Sequence, residues 1–342
     1  MKKEAFSDTI SSLLYILSAL VITLGLSFMI SSWLIQRNLG DIIHFFLASS
    51  FGSTDNFLRM LTRTTPLLIT TLGLIIAFNS GMWNIGGEGQ IIIGVIVSTG
   101  ICLFLDLPPN SSIFLAFLTS FLVSGVYAAF AGFLKAKWNV NEVAITMMQN
   151  FIVIALLQWL IDDPWNWGVG LYPRTDMIPI GTRLPFIYHP LNLTFFVGIT
   201  LVILIHYMLN RTILGYELQA IGSNIKAAFS QGINTSRLIT ISMLISGGVC
   251  GLAGSSLVLG EYFRAQAGIT SNYGFYAIAA ALIADNKPML APIASLLISI
   301  ICEGVLGLAA LGLPHRLGQV IIGLIYIVII FPKAMRWFRR SV

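Results

Sequence analysis

Long apolar runs separated by short polar turns make up most of this chain, and runs of that length predict helices that cross a bilayer. The expected spans lie near 13–35, 64–79, 88–105, 112–134, 142–161, 191–209, 237–259, 273–284, 289–311 and 316–331. The fold class is therefore an all-α integral membrane protein, with about ten transmembrane helices in one polytopic domain over residues 1–342.

One polar insert breaks the pattern. Asn79-Ser-Gly-Met-Trp-Asn-Ile-Gly-Gly-Glu-Gly-Gln90 has apolar stretches on both sides. Counting from Arg63, the last charge before it, about fifteen helical residues reach roughly 23 Å, short of a ~30 Å hydrocarbon layer. The insert is expected below the membrane surface, where irregular backbone survives only against protein or a water-filled cavity. A second helix is expected to start at about Gly86, placing Glu88 in its first turn, where the dipole favours an acid. Broken helices of this kind line substrate paths in transporters. A packing kink with Glu88 at an aqueous interface is the plainer alternative. A later stretch echoes the insert: Asn272-Tyr273-Gly274 followed by Ile278 aligns with Asn84-Ile85-Gly86 followed by Gln90-Ile91. The two helices run in opposite directions in this topology, as an inverted internal repeat of broken half-helices requires.

Composition supports the membrane reading. The chain is 56% hydrophobic and only 10% charged, with a mean hydropathy of +0.87. Soluble domains carry about 25% charged residues. The net charge of +5 is spread over loop ends, which favours cytoplasmic anchoring and contact with anionic lipid over nucleic-acid binding. With the N-terminus in the cytoplasm, twelve of the 19 Lys and Arg residues fall inside, so both termini are expected on the cytoplasmic face of a bacterial inner membrane. The first apolar run is too long for a signal peptide and reads as the first span. Cys102, Cys250 and Cys302 lie inside apolar runs and read as small hydrophobes. His44, His189, His206 and His315 form no metal motif, and no Ser/Lys or paired-Asp constellation falls within a span, which argues against an intramembrane enzyme.

Three polar segments remain. Residues 36–63 are mixed in character and predict an external, interfacial helix. The external loop at about 162–190 carries Trp165, Trp167, Tyr172 and five prolines, which implies an ordered lid serving either as an aromatic belt or as a docking site for an external partner. The cytoplasmic segment at about 211–236 predicts a short amphipathic helix over 224–231, with Ser223 as N-cap and Gly232 just past its end. With one lysine, Lys226, and two alanines it suits docking to a protein better than binding lipid. The following span carries Gly247, Gly248, Gly251 and Gly254, a pattern that lets helices approach closely.

These motifs together resemble the permease subunits of binding-protein-dependent ABC importers, in the branch that carries ribose-like sugars and branched-chain amino acids. Asn84-Ile-Gly-Gly-Glu-Gly-Gln90 and Asn141-Glu-Val-Ala-Ile-Thr-Met-Met-Gln-Asn150 look most like the nucleoside-importing members. Gly215, Ala220, Gly222, Asn224, Ala227, Ala228 and Gly232-Ile233 match the family's cytoplasmic coupling segment. Gly274-Phe275 with Ala277-Ile278-Ala279 resembles its second-half signature, and Gln319 to Gly323 its last span. Tyr276 stands where that signature usually has an acid, and Glu303 is an extra acid in an apolar span.

The resemblance implies a nucleoside permease that docks a separate ABC ATPase through the coupling residues just named. It also implies a second, non-identical permease subunit and an extracytoplasmic substrate-binding protein. Import of ribose-like sugars or branched-chain amino acids, or ion-coupled secondary transport, are the alternatives. The chain has no G-x-x-x-x-G-K-[ST] sequence, so ATP is expected on the partner, and this chain is expected to hold no cofactor or metal and to catalyse no reaction. Asn84, Glu88, Asn150, Tyr273, Tyr276 and Glu303 are the candidate substrate-path residues, because aromatic faces with amide and carboxylate acceptors suit a flat base and ribose hydroxyls.

Overall fold

A computed structural model describes residues 24–33, 36–166, 172–312, 320 and 322–324. The last expected span at 316–331 lies almost wholly outside the described residues. So do the start of the 13–35 run, Trp167, Arg316, Gln319 and the basic residues at both termini.

Twelve α-helices are traced among the described residues: α1 (Leu24–Trp33), α2 (Leu39–Phe51), α3 (Thr54–Asn79), α4 (Gly87–Phe104), α5 (Pro109–Trp138), α6 (Glu142–Asp162), α7 (Thr194–Arg211), α8 (Ile213–Ser223), α9 (Ile225–Ser230), α10 (Thr235–Leu257), α11 (Tyr273–Ile283) and α12 (Ala291–Ala309). Among the described residues seven helical segments are long and apolar enough to cross a membrane: α3, α4, α5, α6, α7, α10 with its π turn, and α12 with the 3-10 turn before it. The chain divides into two compact units, Leu61–Leu296 and Met1–Met60 with Leu297–Val342. In the latter, Gly304 and Gly307 of α12 lie against Phe46 and Ser49 of α2.

The larger unit is organised around α4, α5 and α10. A Cβ on Gly94 would stand 2.0 Å from the Gly251 carbonyl oxygen, and one on Gly254 would stand 2.0 Å from that of Ile91. These helices touch backbone to backbone, which explains the glycine spacing of α10 as packing. Ser124 of α5 lies within hydrogen-bond distance of the carbonyls of Gln90 (2.9 Å) and Gly247 (2.8 Å), so one hydroxyl ties all three helices.

Several expectations need correction. The helix expected at 64–79 starts at Thr54, and the 36–63 segment is α2 followed by the first turns of α3. Arg63 lies inside α3, paired with Glu261 at 3.8 Å. Ser223 does not cap the short helix α9. It is the last residue of α8, and the cap of α9 is Asn224, whose side chain accepts from the backbone N–H groups of Lys226 and Ala227. Gly232 does close α9: its φ is +81°, and Ile233 N–H returns to the Ala228 carbonyl at 3.2 Å.

The loop between α6 and α7 is described from residue 172 onwards. Ile178 N–H donates to Phe263 (2.8 Å), Leu184 N–H to Leu259 (2.8 Å) and Thr175 N–H to Ala265 (3.0 Å), which fastens the loop to the chain that follows α10.

Because the contact at Gly94 is with backbone, no rotamer change can relieve an added methyl group. Gly94→Ala is expected to destabilise by about 1–3 kcal/mol. Gly40→Ala, in α2 with nothing within 4 Å, is expected to gain up to about 1 kcal/mol from helix propensity. Thermal unfolding of the two variants in detergent measures the contrast.

Candidate functional site

The site is built at the break between α3 and α4. The sequence Asn79-Ser80-Gly81 ends α3 in a Schellman turn: Met82 N–H returns to Ala77 (3.0 Å) and Gly81 N–H to Phe78 (3.1 Å). That geometry needs the φ of +75° that Gly81 adopts. α4 restarts at Gly87, one residue from the expected position, with Gly86 as its N-cap.

Starting a helix inside a membrane protein leaves N–H groups without partners, and here side chains from other elements supply them. Asn150 of α6 accepts from Gly89 N–H at 2.8 Å and donates to the Ile85 carbonyl at 2.9 Å, so one amide holds both sides of the restart. Asn84 occupies all its hydrogen-bonding positions. It exchanges a reciprocal amide pair with Gln90 (2.9 Å each way), donates to Ser246 Oγ (2.9 Å) and accepts from Gly86 N–H (3.0 Å). Thr146 Oγ1 accepts from Ile85 N–H at 3.3 Å. Every one of these side chains is buried.

Glu88 performs the same service for a second broken helix. The N-cap residue of α11, Asn272, makes no side-chain capping bond. Gly274 N–H instead donates to Glu88 Oε2 at 2.8 Å, and the Thr270 hydroxyl donates to Glu88 Oε1. A Cβ on Gly274 would stand 2.1 Å from Glu88 N, so the two helix starts are in direct contact. The positive ends of α4 and α11 both face this carboxyl group, the arrangement that most favours a buried acid.

The far end of α11 returns to the break. Asn79 Nδ2 donates to the Asn286 carbonyl at 2.9 Å and to Ile75 at 2.8 Å. The 11 residues of α11 rise about 16 Å between these two contacts.

A family model described as "Branched-chain amino acid transport system / permease component" matches residues 56–330. The chain belongs to this permease family. It is similar to the glucose ABC transporter permease protein TsgB13 of Haloferax volcanii, 26% identical over 86% of this chain and 80% of that one. It is also similar to the guanosine ABC transporter permease protein NupP of Bacillus subtilis (28%, 84% of each chain). The nucleoside ABC transporter permease protein NupB of Lactococcus lactis is 27% identical, over 80% of this chain and 78% of that one. No solved structure matches the chain.

Of the permease's candidate path residues, Asn84, Glu88, Asn150 and Tyr273 gather where α4 meets α11. Tyr273 is buried as the first residue of α11, and Tyr276 is half-buried one turn on. Glu303 is buried in the part of α12 that belongs to the other compact unit. Thr270, Gln90, Ser246 and Thr146 complete the polar cluster. Gln90 closed one motif legible in the sequence and Thr146 lay inside another, whereas Thr270 and Ser246 had no local signal.

The coupling residues divide by direction. Gly215 is wedged against the Met208 and Leu209 carbonyls at the end of α7, and Ala228 is buried. Gly222 lies against the break itself, where its Cβ would stand 2.1 Å from the Asn79 carbonyl oxygen. Asn224, Ala227 and Gly232 are exposed, and Ala220 is half-buried. The exposed apolar groups of α8 and α9 are Ile213, Tyr216, Ile225 and Phe229, with Tyr216 at 71% and Phe229 at 70% exposure.

Glu88 offers two acceptor oxygens to two donors, and an amide offers one. Glu88→Gln is therefore expected to destabilise by about 1–3 kcal/mol in thermal unfolding. In a Thr270→Val background, which removes one donor, the same change should cost clearly less.

Proposed function

We propose that this permease is the membrane-spanning subunit of an ATP-driven ABC importer, that it forms the translocation path for nucleosides, and that ATP is bound by a separate ATPase. The observation that carries the path is the pair of half-helices α4 and α11 meeting at Glu88, with a polar interior otherwise made of neutral amides and hydroxyls. A carboxyl group already stands at the positive ends of α4 and α11, which leaves no unmet positive end for an anion, so the solute is a neutral, hydrogen-bonding one. The relatives named for guanosine and nucleosides support a nucleoside; the relative named for glucose supports a sugar as the second reading. Asn84 and Asn150 shape the break, and Glu88, Tyr273 and Tyr276 are the proposed contacts of the moving solute.

The ATPase is proposed to dock on the exposed face of α8 and α9. Closure of the ATPase would press Gly222 on the Asn79 carbonyl. Asn79 holds one end of α11 through Asn286, and Glu88 holds the other, so the push arrives at the half-helix junction and rocks the path between inward and outward openings. A second, non-identical permease subunit and an extracytoplasmic substrate-binding protein complete the proposed importer. It is placed in a bacterial inner membrane with both termini of this chain in the cytoplasm.

Phe229→Asp is expected to weaken retention of the ATPase roughly ten-fold or more during purification and to abolish uptake. The thermal midpoint should stay unchanged, because the ring is 70% exposed. Retained ATPase with normal uptake would place the docking surface elsewhere. In competition assays unlabelled nucleosides are expected to block uptake of labelled guanosine, and leucine to have no effect. Competition by glucose or ribose alone would favour the sugar reading.

A further inference from the structure

Where α5 ends and α10 begins, a groove of about 480 Å³ opens between the two helices, lined by Phe133, Lys137, Arg237 and Ile241 among others. The helices run antiparallel here, α5 towards its last turn and α10 away from its first. Lys137 and Arg237 therefore stand level with each other at the helix ends. Phe133 and Ile241, each four residues further in, lie about 6 Å deeper. The Lys137 ammonium is held 4.8 Å from the centroid of the Trp138 ring and 5.4 Å from that of Phe133. Neither Lys137 nor Arg237 forms an ion pair with a carboxylate among the described residues. Trp138 itself is exposed, and apolar α5 residues give way here to Lys135 and Lys137, as they do where a span leaves the hydrocarbon.

We propose that this groove binds the headgroup and first acyl carbons of an anionic phospholipid. Two unneutralised cations at the boundary match a lipid phosphate, and the apolar floor one turn deeper matches the chain that a lipid carries below it. A free phosphate has no use for the floor. A water-soluble protein would have to reach below the membrane surface to fill it. The site is separate from the α4–α11 junction and does not depend on which solute is carried.

The test titrates phosphatidylglycerol against phosphatidylcholine on the purified full chain in mixed micelles and counts retained lipid by native mass spectrometry. Two cations predict a preference for phosphatidylglycerol of roughly thirty-fold. K137Q/R237Q should bring the two lipids close to parity, and K137R/R237K should keep the preference. An undiminished preference in K137Q/R237Q overturns the proposal. So does a wild-type chain that does not distinguish the lipids, or one from which inorganic phosphate displaces phosphatidylglycerol at equal concentration. If K137Q/R237Q sheds the ATPase while retaining phosphatidylglycerol as before, the groove is a protein contact and the proposal fails. Should the double variant not fold, the wild-type lipid comparison and the phosphate competition still decide it.

Discussion

Backbone N–H groups at the start of a helix must be satisfied, and in a membrane protein water is not there to do it. The centre of this permease is arranged around that requirement. Two helices, α4 and α11, begin inside the molecule, and neither brings a capping side chain of its own. Asn150 caps α4 from α6, and Glu88 caps α11 from α4. Each start is thus held by a residue from another element, which makes the two breaks one cooperative structure. Removing a partner strands a buried donor or acceptor, at a cost of about 1–3 kcal/mol.

The rest of the larger unit gives this polar junction a rigid frame. Glycines bring α4, α5 and α10 into backbone contact, and Ser120 and Ser124 place their hydroxyls on α4 carbonyls, so little slack is left beside the break. α11 is held differently at its two ends: Gly274 meets the backbone of Gly87 and Glu88 at its start, whereas a side-chain bond from Asn79 to the Asn286 carbonyl holds the far end. Asn79 stands at the convergence: its carbonyl abuts Gly222 and its amide holds Asn286. A polar, bonded end is a better point for transmitting a push than a close-packed one, because a hydrogen bond can be exchanged where a packed backbone can only be sheared.

The spans were legible because apolar run length depends only on composition and helix rise. Helix ends were less so. α3 starts at Thr54, ahead of the apolar run, and the partner of Arg63, Glu261, is about two hundred residues away and leaves no local trace. Ser223 and Asn224 are both good N-caps. The choice between them was made by α8, which extends to Ser223 and leaves Asn224 extended, at φ −160°. In the coupling segment Gly215 and Ala228 face inward and Gly222 faces the break, while Ala227 and Gly232 are exposed. The exposed Tyr216 and Phe229 carried no motif at all.

By itself the sequence determined that this is a helical membrane protein with a glycine-punctured break near Gly86, an acid in the turn that follows, and a family likeness carried by that motif. These follow from hydropathy and local backbone chemistry, which act over a few residues. Only the tertiary structure decided what the buried acid holds. Thr270 and Gly274 lie more than 180 positions from Glu88, and no local rule links an orphan N–H to a carboxyl group that far along the chain. The same applies to Gly222 against Asn79, a contact set by the packing of α8 on the end of α3 and visible only once both are in place.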